Sequence, residues 1–121
     1  MVFDDRSPIY RQIADRIEDE VLAGSLAGDE QVMSTNKYAA FHRINPATVN
    51  KAFQGLVDDG ILYKRRGIGM FVSPKARETL RARRRKTFFT DVVEPMVAQA
   101  RVLGIDMPEL VARITELGSR S

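Results

Sequence analysis

The chain of 121 residues contains no cysteine and no tryptophan, and its single histidine is His42. Without cysteine it forms no disulfide, has no thiolate nucleophile and offers no cysteine ligand to zinc. This composition is compatible with a cytoplasmic protein, because disulfides belong to oxidising compartments. No serine or carboxylate motif stands beside His42, and a lone histidine is more often a surface or capping residue than a catalyst. The sequence therefore predicts no enzyme, no metal site and no cofactor.

Long apolar runs are also missing. No stretch reaches the 18 or so consecutive apolar residues that a membrane span requires, so none is expected. The first residues, MVFDDRSPIY, are acidic and lack the apolar centre of a secretory signal. The length allows one domain with a modest appendage, and not two full hydrophobic cores.

Positive charge is concentrated from the middle of the chain onward. Residues 1–35 carry three basic and eight acidic side chains, whereas residues 36–74 carry six and two, and residues 75–121 carry ten and six. The net charge of +3 conceals this asymmetry. An anionic partner would therefore meet the middle and C-terminal parts of the chain rather than its first helix.

Helical spacing predicts a first helix between Ser7 and Gly24. Ser7 is a good N-cap, and Pro8 suits the first helical position because it has no N–H to leave unpaired. The apolar stripe consists of Ile9, Ile13, Ile17 and Val21. The opposite face, expected to be exposed to solvent, carries Asp15, Glu18 and Asp19.

A second, two-turn helix is predicted for residues 35–42, with Ser34 as its N-cap. So short a helix is not stable alone and must pack against the rest of the domain. Its inward side chains are expected to be Tyr38, Ala39 and Phe41.

The stretch INPATVNKAF predicts a third helix that begins abruptly, because Asn45 can cap it and Pro46 suits its first position. Its buried stripe consists of Val49, Ala52, Phe53, Leu56 and Val57. Its outward positions are short and polar, as required of a helix that lies close to base edges in the DNA major groove: Ala47, Thr48, Asn50 and Lys51. On this stretch alone, an ordinary solvated helix face explains the pattern equally well.

After Gly60 the apolar period changes from helical to two residues, which predicts two strands, 61–64 and 70–72. The residues between them are basic and glycine-rich, as in a hairpin small enough to approach a minor groove: Arg65, Arg66, Gly67, Ile68 and Gly69. Charge at a hairpin can also protect a sheet edge. The order of three helices and a basic hairpin nevertheless predicts a mainly α fold, with a winged helix-turn-helix DNA-binding domain in residues 1–73.

Residues 74–121 are predicted to form a small helical dimerisation region after the Ser73-Pro74 boundary. Pro95 predicts a kink or break between Thr90 and Glu94, and a last helix is expected from Met107 to Leu117. The basic run at 81–86 spreads around its helix and is expected to be solvated. A large apolar surface should be buried between two copies of the chain. It consists of Phe88, Phe89, Val92, Val93, Met96, Val97, Ala100 and Leu103.

Several motifs together resemble the DNA-binding domain of the GntR family of bacterial transcription regulators. They are P-I-Y-x-Q-I, the G-x-L turn, T-V-x-x-A-F-x-x-L-x-x-x-G and R-x-G-x-G-x-F-V, within residues 7–73. The short C-terminal region is similar to that of the YtrA subfamily, in which a helical dimerisation unit replaces a large effector domain. The resemblance implies a cytoplasmic homodimer that represses transcription by binding a roughly palindromic double-stranded DNA operator; it identifies no effector.

Contacts to DNA are expected from the starts of the second and third helices and from the wing. The candidate residues are Ser34, Asn36, Lys37, Arg43, Asn45, Ala47, Thr48, Asn50, Lys51, Arg65, Arg66, Gly67, Ile68 and Gly69. Three positions where the family resemblance implies arginine hold Asn36, Pro46 and Asn50 instead. Each lost phosphate contact should flatten the log–log salt dependence of binding by about 0.9. The alternative is a winged-helix module that binds another protein.

Overall fold

The computed structural model describes residues 7–120, which are mainly helical. The chain divides into two compact units, Met1–Ala82 and Arg83–Ser121. The predicted fold class is confirmed: three helices and a hairpin precede a helical C-terminal region. The elements are α1 (Ile9–Ala23), α2 (Thr35–His42), α3 (Pro46–Asp58), β1 (Leu62–Arg65), β2 (Gly69–Val72), α4 (Ala76–Phe88), a π-helical turn (Phe89–Val93), α5 (Glu94–Val102) and α6 (Met107–Gly118).

The start of α1 differs from the prediction by one residue. Pro8 is the N-cap, no side chain caps the helix, and the Pro8 carbonyl accepts the first backbone hydrogen bonds. Ser7 contributes its own carbonyl instead, which accepts a hydrogen bond of 2.7 Å from Gln12 Nε2. The prediction of Ser7 as the cap was therefore wrong. The end was right, since Gly24 adopts the left-handed conformation with φ of 88°.

The predicted apolar stripe of α1 is buried from Ile13 onward, and on the polar face Asp15 and Asp19 are exposed as expected, but Glu18 is not. Glu18 is only 8% exposed. It borders a depression between α1 and α3 that Gly55 of α3 also lines. The periodicity of α1 alone does not reveal this burial.

The core of the first unit is enclosed by α1, α2, α3, the hairpin and the start of α4. Its largest fully buried side chain is Phe53 of α3. The Phe53 ring meets the Tyr38 ring edge-on at 5.5 Å between centroids, which ties α2 to α3. Ala76 and Leu80 of α4 are also fully buried in this core, and the division into compact units falls later, inside α4.

Phe41 is an error of the sequence prediction. Tyr38 and Ala39 are buried as expected, but Phe41 is 72% exposed. At 100° per residue, the middle of the Tyr38–Ala39 side coincides with His42, whereas Phe41 lies more than a quarter turn away. In a helix of only eight residues, the direction of burial is set by contact with α3, and not by its own periodicity.

The hairpin is antiparallel, with Leu62 opposite Val72 and Arg65 opposite Gly69. Gln31 adds an isolated antiparallel bridge to Phe71, so the segment before α2 pairs with β2. Gly69 is required at the wing: its φ is 146°, and a Cβ there would lie 2.7 Å from Gln31 Nε2. The close contact of Gln31, which also donates to the Ile68 carbonyl at 3.1 Å, holds the wing against the domain.

In the second unit, the chain stays helical from residue 83 to residue 102, so the kink or break predicted between Thr90 and Glu94 is not a break, although the helix is irregular at that place. The irregularity is a π-helical turn, in which the Glu94 N–H donates to the Phe89 carbonyl. One extra residue in the turn admits Pro95, which has no N–H to donate, without ending the helix. Residues 107–118 form α6 as predicted, with Asp106 as its cap. No helix within residues 7–120 is both long and apolar enough to cross a membrane.

Candidate nucleic-acid interface

The N-terminus of α2 is polar and exposed. The Ser34 Oγ accepts a hydrogen bond of 3.2 Å from the Lys37 N–H, which confirms Ser34 as the cap. Because the oxygen only accepts here, the hydroxyl hydrogen remains able to donate to another group. Asn36 and Lys37 are exposed beside it. The arrangement offers a hydroxyl, an amide and an ammonium group to an anion.

A three-residue turn connects α2 to α3. Arg43 takes the left-handed conformation with φ of 54°, its N–H donates to the Ala39 carbonyl, and its side chain is exposed. Asn45 then caps α3 through its Oδ1, which accepts a hydrogen bond of 2.9 Å from the Ala47 N–H, with Pro46 in the first position. The cap uses the Asn45 oxygen, so its NH2 group can still donate.

The two sides of α3 face different surroundings. Its buried stripe is Val49, Ala52, Phe53 and Leu56. Asn50 lies three residues before Phe53 and shares that side of the helix, whereas Lys51 shares the other side with Gly55. Phe53 lines a groove toward the wing, and Gly55 lines a depression toward α1. Ala47 and Asn50 are exposed, and Thr48 is half-buried.

The groove beside α3 joins the start of α2 to the wing. It has a volume of about 400 Å³ and is lined by Ser34, Thr35, Phe53 and residues 64–70, with Met33 at its edge. Six predicted DNA contacts therefore line one groove: Ser34, Arg65, Arg66, Gly67, Ile68 and Gly69. Ile68, at the tip of the wing, is 60% exposed. Lys51 and Arg43 do not line this groove.

The two arginines of the wing, Arg65 and Arg66, have different surroundings. The guanidinium carbon of Arg65 lies 5.4 Å from the Phe71 ring centroid, and Phe71 stacks on Tyr63 at 5.7 Å. The Tyr63 hydroxyl donates a hydrogen bond of 2.7 Å to Asp29 Oδ1, which raises the pKa of this tyrosine. This row of contacts orients Arg65 on the outer face of the hairpin. Arg66 belongs to the turn itself and is exposed.

Lys51 is turned toward α1. Its Nζ lies 4.0 Å from the centroid of the Tyr10 ring, a cation–π geometry. Tyr10 was not among the sequence-predicted functional residues. Its place in the P-I-Y-x-Q-I motif was visible, but only the packing of α1 on α3 brings it to Lys51.

The single histidine has a packing role. The His42 ring centroid lies 4.3 Å from that of Tyr38 and 4.8 Å from that of Phe41. Partial burial, with a smaller contribution from Arg16, lowers the pKa of His42. Within residues 7–120, no group of three or more histidine or acidic side chains is arranged to hold a metal ion.

The predicted dimerisation residues fall into three groups by exposure. Phe88, Phe89, Val92 and Leu103 are exposed. Val93, Met96 and Val97 are half-buried. Ala100 is only 5% exposed within the protomer itself. The amphipathic helix α6 adds further exposed apolar side chains that the prediction did not include: Met107, Val111, Ile114 and Leu117.

No protein-family model matches the chain. Two curated relatives from Bacillus subtilis (strain 168) match over nearly its whole length. The HTH-type transcriptional repressor YtrA is 29% identical over 113 residues, which cover 93% of this chain and 86% of YtrA. The uncharacterised HTH-type transcriptional regulator YhcF is 30% identical over 112 residues, which cover 93% of this chain and 91% of YhcF.

Solved structures give the same result. A GntR family transcriptional regulator from Listeria monocytogenes is 27% identical and superposes with a TM-score of 0.75, over 94% of this chain and 98% of that one. The DNA-binding domain of AraR in complex with operator ORX1 is 26% identical, with a TM-score of 0.56. That match covers 60% of this chain and 93% of the AraR domain.

The winged helix-turn-helix, its polar third helix and its basic wing define a helix-turn-helix transcription regulator. The chain belongs to the GntR family and is a YtrA-like member of it. The resemblance stated from sequence motifs is thereby confirmed.

Proposed function

We propose that the protein is a transcriptional repressor that binds a roughly palindromic DNA operator as a homodimer, with α3 as its recognition helix. The observation that carries the proposal is the shared surface of α3, the start of α2 and the wing. From α3 only the buried Phe53 lines the groove formed with Ser34 and the wing residues, and the exposed Asn50 lies three residues before Phe53 on the same side of the helix. In a winged helix-turn-helix, these are the parts that meet the major groove, the backbone and the minor groove.

Base recognition is assigned to the first turns of α3. The amide of Asn50 can form a bidentate pair with adenine, and the methyl groups of Ala47 and Thr48 can contact a thymine methyl group. The Asn45 NH2 group, left free by its capping oxygen, can donate to a phosphate or a base edge. Small side chains at these positions allow the helix axis to lie deep in the groove.

Phosphate contacts are assigned to the start of α2, to the turn before α3 and to the wing. The Ser34 hydroxyl, Asn36 and Lys37 surround the N-terminus of α2, where free N–H groups favour an anion. Arg43 and Arg66 supply exposed positive charge. Because Asn36, Pro46 and Asn50 are uncharged, fewer counterions should be released on binding than by a chain with arginine at those positions.

Dimerisation is assigned to the second unit. Within residues 83–120 the protomer buries only Ala100, while Phe88, Phe89, Val92 and Leu103 remain exposed. So much aromatic and aliphatic surface on a unit of this size is stabilised when a second copy covers it. A symmetric dimer presents two recognition helices, so the operator half-sites should lie about one helical turn, or a multiple of it, apart. Such a protein acts on chromosomal DNA in the cytoplasm.

The test is selection of bound sequences from a pool of random duplexes by the full chain. We expect an enriched, roughly palindromic motif, and footprinting on it should protect two half-sites at one fixed spacing. Affinity measured at several salt concentrations should remain higher for this motif than for random DNA. Affinity that does not depend on DNA sequence would contradict the proposal and would favour the alternative, a winged-helix module that binds another protein.

A further inference from the structure

We propose that Tyr10 holds Lys51 away from the DNA backbone in the free protein and so limits the number of phosphate contacts that α3 makes. This inference rests on the proposed function, since it concerns the same DNA-binding surface. It assigns a role to the Tyr10 ring, which is a positioning group and not itself a DNA contact. We call the pair Tyr10 and Lys51 the latch.

The latch rests first on geometry. The Lys51 ammonium lies 4.0 Å from the Tyr10 ring centroid, well within the range of a cation–π contact. Lys51 lies on the side of α3 that faces α1, not on the side of Asn50 and Phe53 that faces the wing groove. To reach a phosphate from there, the ammonium group would have to leave the ring.

The charges around Lys51 also favour a position of its ammonium group away from the DNA backbone. The depression between α1 and α3 has a volume of about 210 Å³. Two basic side chains border it, Lys51 and Arg11. Four acidic side chains border it as well: Asp15, Glu18, Asp58 and Asp59. An acidic surface attracts an ammonium group and repels a phosphate. The neighbourhood of Lys51 therefore retains the lysine and disfavours the DNA backbone.

The consequence concerns the salt dependence of DNA binding. A lysine that neutralises a phosphate releases a counterion and adds about 0.9 to the log–log salt slope. If Lys51 stays on Tyr10, it adds little to this slope despite its place on the recognition helix. Removing the ring should release Lys51, which could then contact the backbone.

The test compares three single variants and one double variant on random duplex DNA between 50 and 200 mM salt. Tyr10→Leu removes the ring, Tyr10→Phe keeps it as the matched control, and Lys51→Gln removes the charge. We expect Tyr10→Leu to steepen the slope by about 0.9, so that the gain in affinity on lowering the salt fourfold grows about 3.5-fold. Tyr10→Phe and Lys51→Gln should match the wild type. The double variant Tyr10→Leu/Lys51→Gln should lose the steepening.

A second readout does not involve DNA. In the free protein, protons of the Lys51 side chain above the ring face should resonate upfield of those of exposed Lys37. Tyr10→Phe should keep this NMR shift and Tyr10→Leu should abolish it. Circular dichroism should show that each variant is folded.

Three outcomes would overturn the latch. They are an unchanged slope in Tyr10→Leu, a slope reduced by about 0.9 in Lys51→Gln alone, and a Lys51 resonance that does not respond to loss of the ring. Failure of the proposed function is a different result: the affinity of the wild type would not depend on the DNA sequence, whatever the salt slopes of the variants.

Discussion

The substitution Asn50→Ala tests the role of α3 most directly. Asn50 is exposed and lies in the second turn of α3, three residues before Phe53, which lines the wing groove. Alanine removes the amide that would pair with adenine and leaves the helix intact, because alanine has a higher helix propensity than asparagine. Loss of one bidentate pair should weaken operator binding by about 1–3 kcal/mol, which is about 5- to 140-fold in Kd.

Fluorescence anisotropy on the selected operator, and on operators changed at single positions, measures this effect. The variant should lose its preference at one base position, while its affinity for random duplex stays the same. Its salt slope should not change, since a neutral side chain releases no counterion. Because Asn50 is exposed, the free energy of unfolding should change by less than about 0.5 kcal/mol.

Gln54→Ala is the matched control. Gln54 is also an exposed amide on α3, but it lies one turn further from the N-terminus and donates a hydrogen bond of 3.0 Å to Asp58. Only the first turns of a recognition helix reach base edges, so this variant should bind nearly as the wild type. The assignment of Asn50 is refuted if Asn50→Ala weakens operator and random DNA equally, or if Gln54→Ala has the larger effect on specificity.

Met96→Asp should dissociate the dimer in sedimentation experiments, because it places a charge among the apolar side chains of α5. The control Gln99→Asp, at an exposed position, should leave the dimer intact. A dimer that persists in Met96→Asp would contradict the proposed interface. Leu80→Ala should lower the free energy of unfolding, measured in urea, by about 2–5 kcal/mol, since Leu80 is fully buried. The control Thr79→Ala changes an exposed side chain and should lower it by less than about 0.5 kcal/mol. Burial raises the pKa of Tyr38 to about 12, so the folded state favours the neutral phenol, and this stabilisation is lost as pH rises from about 10 to about 12. Unfolding free energies at pH 9 and pH 11 should show a smaller decline for Tyr38→Phe; an equal decline would refute this origin.

Most helix positions followed from local signals in the sequence. Apolar spacing and caps act within one or two turns, so Ser34, Asn45 and Pro46 were sufficient to place the starts of α2 and α3. The change to a two-residue period after Gly60 likewise located the hairpin. Family-typical motifs then linked these elements to one class of protein.

Errors in the sequence prediction arose where two local rules conflict, or where packing against another element determines which side chains are buried. Pro95 was expected to kink or break a helix, but a π-helical turn accommodates it without a break, since a neighbouring turn can change its hydrogen-bond register. Phe41 was placed inward although the two-turn α2 is oriented by α3. Glu18 was placed in solvent, but it is buried in the folded domain, where it borders a depression between α1 and α3.

The sequence by itself determined the order of the elements, the caps that begin α2 and α3, and the membership of the GntR family, because these depend on residues close together along the chain. Only the tertiary structure decided the direction in which the charged side chains of the interface point. Packing of α1 on α3 sets Lys51 over Tyr10, and strand register sets Arg65 over Phe71. Long cationic side chains can turn toward any nearby ring or carboxylate, so their direction depends on neighbours that folding brings from distant parts of the chain.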